Sequence, residues 1–201
     1  ALLGWNDGTE QEVFSLEELV DKFSIDRVHK GGAKFDPEKA KWFNHEWIKR
    51  SSAARLAPLV KETLEANNIS NIEENYLHKV IDLVKDRCTL VPDFYTQSSF
   101  LFERPASYDE ASIKPKWDDS KRDYFKTLAD TFRSSKGFSV EQIEQQFKQL
   151  ATEKNIKVGE LQMIFRIMLV GSKMGPGVFV IAETIGKEET VGRIEKVLSI
   201  L

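Results

Sequence analysis

Between Arg27 and Lys49 the chain gathers Arg27, His29, Lys30, Lys34, Lys39, Lys41 and Lys49 around a double glycine, Gly31-Gly32. Phosphate recognition calls for this combination: cationic side chains beside a helix start, with backbone amides that no side chain obstructs. Lys30, Gly31, Gly32, Lys34, Lys41 and Lys49 are therefore candidate contacts to a nucleic-acid backbone. A solvated basic turn satisfies the same spacing, and spacing alone does not separate the two readings.

Other chemistries are weakly supported. Gly171-Ser172-Lys173 lacks the upstream glycine and following hydroxyl of a phosphate-binding P-loop, and no dinucleotide-type glycine fingerprint occurs. Cys88 has no histidine near it in sequence to act as a base, and one cysteine cannot form an internal disulfide. His29, His45 and His78 are too scattered for a zinc site. The acidic pairs Glu17-Glu18 and Glu73-Glu74 sit where helices begin, so dipole complementation explains them better than acid/base catalysis.

The scaffold that must position such a surface is globular. The chain has 201 residues, 41% hydrophobic and 10% aromatic, enough for one large core or two small ones. Its net charge of −3 hides an asymmetry: residues 22–55 carry nine Lys/Arg against four Asp/Glu, whereas the remainder carries 20 against 28. Contact with a polyanion would have to be local. No apolar run approaches the roughly 20 residues of a membrane span, no signal peptide is evident, and cysteine usage fits a reducing, cytoplasmic setting. The opening Ala1-Leu2-Leu3-Gly4-Trp5 has neither an initiator methionine nor a cap, the pattern of a piece of a longer protein.

Helical signals dominate. Ser15 and Glu18 form a capping box ahead of Leu16, Leu19, Val20 and Phe23. Asp36-Pro37 starts a helix that runs to about Arg50, with Ala40, Phe43 and Trp47 on its packing face and Lys41, His45 and Lys49 on a charged one. Further helices are expected over 53–67, 73–87, 118–134, 139–154, 158–173, 177–185 and 187–200. Residues 88–117, broken by Pro92, Pro105 and Pro115, read as the least regular stretch, and no alternating strands are convincing.

The order of residues is more specific than their types. ALLGW, then EVFSLEELVDKFSIDRV, then GGAKFDPEKAKWFNHEWI, resembles the region just after the catalytic domain of bacterial glutamyl-tRNA synthetases. The resemblance continues through LVKDR at 83–87 and RIMLVGSKMGPGVF at 166–179, and so covers essentially the whole chain. It implies an all-α fold, the helical cage of a class I anticodon-binding region preceded by a small, mostly helical stem-contact segment. The expected divisions are residues 1–57 for stem contact, with helical subdomains at 58–117 and 118–201.

The resemblance also implies roles. Arg87 matches an arginine with which family members read a cytosine at the third anticodon position. An unpaired cytosine offers O2 and N3 acceptors to a group that only donates, whereas guanine presents N–H donors there and is repelled. Without the resemblance, a helix-end salt bridge or C-cap is the simpler role for Arg87. Arg166 matches a second anticodon contact; it lies opposite the Leu161, Ile164, Phe165 and Met168 stripe, where a snorkelling arginine at a domain edge is the alternative. Gly175 and Val178 match loop positions near the anticodon, although the family often carries a side chain where Gly175 stands.

The implied partners are glutamate tRNA and the catalytic region in cis, with no membrane and no DNA. The HIGH-type and KMSKS-type signatures that bind ATP are absent, His29-Lys30-Gly31-Gly32 being no match. ATP and magnesium therefore belong to the catalytic region, no cofactor is expected in this fragment, and the fragment should not aminoacylate alone. Two alternatives stand beside this reading: an all-helical protein-interaction module docking through Trp42 and Trp117, and the similar cage of class I lysyl-tRNA synthetases.

Overall fold

A computed structural model of the chain describes residues 4–29, 31–32 and 34–201. Eleven α-helices are assigned among them, with one isolated antiparallel bridge, Trp5 to Val28, and no longer strand pairing. The residues around that bridge form a small N-terminal unit. Trp5 is 2% exposed, sits edge-on to Phe14 at 6.3 Å, and donates its indole N–H to the Ser24 carbonyl at 3.1 Å. Beside it the Asp7 carboxylate accepts from the Thr9 amide, the Thr9 hydroxyl and the Lys22 ammonium at 3.0, 2.7 and 3.0 Å. The Thr9 hydroxyl and the Lys22 ammonium hold its pKa at about 2.

A carboxyl lowered on folding contributes stability that is complete above its ordinary range and is lost as pH falls from about 4 toward 2. The N-terminal unit should accordingly loosen in that window, and the Trp5 indole N–H resonance should lose its folded shift there.

The capping box holds helix α1, Leu16–Lys22, with the Ser15 hydroxyl accepting from the Glu18 amide at 3.2 Å. Its apolar residues do not pack as the spacing predicts, since Leu16 is 72% exposed and no residue of α1 is buried. Helix α2, Pro37–Arg50, starts at Asp36, whose carboxylate accepts from the amides of Glu38 and Lys39. Here the expected packing face is wrong. Ile48 is the buried residue, Trp47 is 42% exposed, and His45, assigned above to the charged face, turns inward with Asn44. The helix docks through Ile48 and through hydrogen bonds to backbone carbonyls, while Ala40, Phe43 and Trp47 line an open groove of about 370 Å³ shared with Val13, Phe14 and Leu19.

Helices α3 (Ala53–Glu65), α4 (Glu74–Val84) and α5 (Asp93–Phe102) pack on one another around Leu56, Val60, Leu64, Leu77, Val80, Val84 and Phe94. A boundary at 57/58 would fall inside α3, which runs unbroken through Pro58 from its Ser52 cap. Helix α5 and the short α6, Glu110–Ile113, lie in the stretch that reads as irregular. Aromatic and hydroxyl side chains give DFYTQSSFLF little intrinsic helix preference, and burial of Phe94, Phe100 and Leu101 overrides it.

Helices α7 (Asp119–Ser134), α8 (Val140–Glu153), α9 (Val158–Val170), α10 (Val178–Ile185) and α11 (Lys187–Leu198) form the second bundle. Its centre is aromatic, with Tyr124, Phe125, Phe132, Phe147 and Phe165 fully buried and the Tyr124 hydroxyl donating to the Phe147 carbonyl at 2.8 Å. Tertiary packing of α5 on α10 links the bundles. So does the cap of α9: Gly171, at φ +82°, accepts from the Asp109 amide at 2.8 Å. A Cβ on Gly171 would lie 2.5 Å from the Ser107 carbonyl oxygen. Gly171→Ala should therefore cost roughly 1–3 kcal/mol in a denaturant melt, through left-handed strain and a clash with backbone.

Candidate functional site

Arg87 closes the 3₁₀ turn Lys85–Arg87 that follows α4, and its side chain is exposed. The turn is held from two sides. From α2, Asn44 donates its amide to the Thr89 carbonyl, and His45 Nδ1 lies 2.8 Å from the Cys88 carbonyl. From α5, the Asp93 carboxylate accepts from the amides of Thr89 and Leu90, both at 2.8 Å. Between them the Cys88 thiol is buried; burial first, and then the Asp93 charge, push its pKa up to about 12. Such a thiol is inert as a nucleophile.

Arg166 projects from the outer side of α9, half-buried, and donates to the Pro176 carbonyl in the loop 171–177. Its pKa is lowered, first by burial and then by the charge of Arg87. The two arginines, 79 positions apart in sequence, thus come within electrostatic reach of each other. Among the described residues, neither has a carboxylate within ion-pair distance. A cationic pair left without a counter-ion is a site for electron-rich acceptors.

Gly175 completes the arrangement. Its φ is +128°, and a Cβ placed there would meet Arg166 Nη1 and Ile181 Cδ1 at 3.5 Å and Phe100 Cζ at 3.7 Å. The backbone geometry, more than space, explains glycine here. Gly175 also borders a cleft of about 380 Å³ lined by Tyr95, Gln97, Phe100, Ser107 and Ser172 among others, an aromatic and hydroxyl-rich wall against the loop. Val178 differs from expectation, because its side chain is 5% exposed and belongs to the core. It can serve the loop only through its backbone, at the first position of α10.

The basic segment is less available than its charge count suggests. Lys41 pairs with Glu38 at 2.8 Å, Lys49 with Glu46 at 3.2 Å, and Lys39 with Glu12 at 2.5 Å. Lys34, Gly31 and Gly32 are exposed, and among the described residues nothing lies within 4 Å of a Cβ added at either glycine. Lys30 lies outside the described residues. Among the described residues no cluster of His, Cys, Asp or Glu side chains could hold a metal ion, and no helix is long and apolar enough to cross a membrane. Trp117, offered above as a docking residue, is stacked on Phe125 at 6.1 Å and covered by Arg122, so it serves the core. Trp42 is exposed, edge-on to Phe43 at 4.9 Å.

Sequence reasoning missed Asn44, His45 and Asp93, which hold the Arg87 turn, and Arg193, which joins the bundles. Only Asp93, directly after Val91-Pro92, carries a local signal, that of an acidic residue in the first turn of a helix.

Comparison with known proteins agrees with this architecture. Residues 40–198 match the model of the anticodon binding domain family. A glutamate–tRNA ligase of Flavobacterium johnsoniae is 43% identical over 201 residues, covering 100% of this chain and 40% of that protein. One from Porphyromonas gingivalis is 39% identical over the same span. The crystal structure of a glutamate–tRNA ligase from Elizabethkingia meningosepticum superposes with a TM-score of 0.91 at 36% identity, covering 100% of this chain and 39% of that one. The chain therefore spans about 40% of the length of these relatives. With a family match over most of its length and an all-α architecture to carry it, the chain belongs to the anticodon-binding domain family.

Proposed function

We propose that this chain is the tRNA-reading part of a glutamate–tRNA ligase. In this reading Arg87 identifies the third anticodon base as cytosine, and Arg166 contacts a neighbouring unpaired base. Gly175 lets the loop backbone approach that base, with Val178 contributing its helix-start amide. The observation that carries the reading is the Arg87–Arg166 pair: two guanidinium groups within electrostatic reach of each other, both donors only, with no carboxylate among the described residues in ion-pair contact with either. Lys30, Lys34 and the Gly31-Gly32 backbone guide the tRNA inner corner. Lys41 and Lys49 join only by exchanging their acidic partners for phosphate.

The remainder of the protein, in cis, supplies ATP- and magnesium-dependent ligation of glutamate in the cytoplasm. This chain needs no cofactor of its own to bind. Base reading of this kind relies on unstacked bases whose edges meet fixed donors, which a rigid helical scaffold provides. DNA and membranes offer no such loop.

Filter binding to glutamate tRNA tests the reading. Affinity should fall at least about tenfold between roughly 50 and 200 mM salt as phosphate counter-ions are exchanged. Binding indifferent to salt, or none up to about 10⁻⁴ M tRNA, would instead favour a protein-docking module.

A further inference from the structure

Arg87 stands on a turn that α4 alone does not fix. Its preceding helix ends at Val84, and from there to Asp93 the backbone makes few bonds of its own: Cys88 N–H to the Lys85 carbonyl at 3.1 Å, then Asp93 and Phe94 N–H to Leu90 and Val91. The carbonyls of Cys88 and Thr89, which directly follow Arg87, are taken by His45 and Asn44 of α2. Lys85 reaches the Ser51 carbonyl at the end of the same helix, at 3.5 Å. The amides of Thr89 and Leu90 are taken by Asp93 of α5. A carbonyl only accepts, so His45 Nδ1 must carry its proton to make its bond. Asn44 and His45 are thereby turned inward beside the buried Ile48 and spent on two carbonyls, while Ala40, Phe43 and Trp47 of the same helix line an open groove.

We propose that Asn44 and His45 are positioning residues for Arg87. By gripping the carbonyls that follow it, they set where its guanidinium stands relative to Arg166 and hence how sharply a cytosine is told from a guanine. They also make that position depend on α2, so the segment that begins at the basic residues 27–49 is mechanically tied to the base-reading turn. The inference rests on the reading of Arg87 given above. A donor fork must be placed within a few tenths of an ångström to meet two acceptors at once, and displacement by one lost backbone anchor costs discrimination before it costs binding.

The test compares the chain's affinity for glutamate tRNA carrying cytosine or guanine at the third anticodon position, in wild type, His45→Ala, His45→Asn, Asn44→Ala and Arg87→Gln. The asparagine amide can stand in for the Nδ1–H donor. We expect His45→Ala and Asn44→Ala each to lower the cytosine-to-guanine affinity ratio about fivefold or more, a part of the discrimination that one good bidentate contact supplies. His45→Asn should restore it to within about twofold. Thermal melts by circular dichroism separate positioning from packing, since a purely structural role would weaken both tRNAs alike and the ratio would stand.

If both alanine variants keep the ratio while Arg87→Gln abolishes it, the positioning role is wrong and the reading of Arg87 survives. If Arg87→Gln itself leaves the ratio intact, the reading fails and this inference with it. Should His45→Ala prove unfolded at the assay temperature, Asn44→Ala and His45→Asn decide on the same criterion.

Discussion

Arg193→Met is expected to destabilise the chain by about 3–5 kcal/mol, the largest single effect the structure predicts. Arg193 is 1% exposed, yet its charge is fully engaged. Its Nη1 donates to the Phe100 carbonyl at 2.7 Å and to the Leu169 carbonyl, its Nη2 to the Glu103 carbonyl at 3.1 Å, and its Nε to the Glu189 carboxylate at 2.8 Å. These partners end α5 and α9, so one guanidinium satisfies orphan carbonyls of two helices in different bundles. Arg104 completes the set with a two-point contact to Glu189 at 2.8–3.2 Å.

Methionine fills the volume but leaves three carbonyls without their donor and Glu189 to Arg104 alone. Lysine should not rescue the loss, because one ammonium cannot span the three directions that the planar fork serves. In a chain of this length the loss corresponds to a fall in melting temperature of roughly 6–20 °C, readable by calorimetry. Phe100 and Glu103 also line the cleft beside Gly175, so tRNA binding should fall with stability although Arg193 faces no ligand. A shift of less than about 1 kcal/mol would mean that the bundles are held by apolar packing alone.

The sequence made some of this legible and hid the rest for identifiable reasons. Caps are local chemistry, so Ser15 and Asp36 mark helix starts where the structure has them. Amphipathic spacing located α3, α4 and α7 to α11 because each buries a continuous stripe. It failed for α5, whose helicity depends on burial between neighbours, and for α2, whose inward face sets Asn44 and His45 beside a single buried apolar residue, Ile48. Polar docking leaves no hydrophobic period to read, and the partners of Asn44 and His45 lie more than 40 positions away. Arg193 was invisible for the same reason, being about 90 residues from Phe100 and Glu103.

The site was legible differently. Composition pointed to residues 27–49, whose lysines prove largely paired with acids supplied by α2 itself or by Glu12. Charge counting cannot see such pairing. The order of residues around Arg87 and Arg166 pointed to a place the charge count ignores, and the fold brings those two charges within electrostatic reach of each other. Val178 shows the limit of matching by position, since a residue directly after a loop can open the next helix while its side chain turns into the core.

The second large effect is on specificity, and it is also the most direct measurement of the central claim. Equilibrium binding of the wild-type chain and of Arg87→Gln should be measured against two glutamate tRNAs that differ only at the third anticodon base, cytosine or guanine. A guanidinium can only donate, so it meets the O2 and N3 acceptors of cytosine and opposes the N1–H and N2–H of guanine. Glutamine both donates and accepts, and so tolerates either base. Wild type should prefer cytosine by about 1–3 kcal/mol, roughly five- to 150-fold, and Arg87→Gln should bring the ratio close to one with its melting temperature unchanged. A wild-type chain that binds both tRNAs equally, or an Arg87→Gln variant that keeps the full preference, would contradict the account.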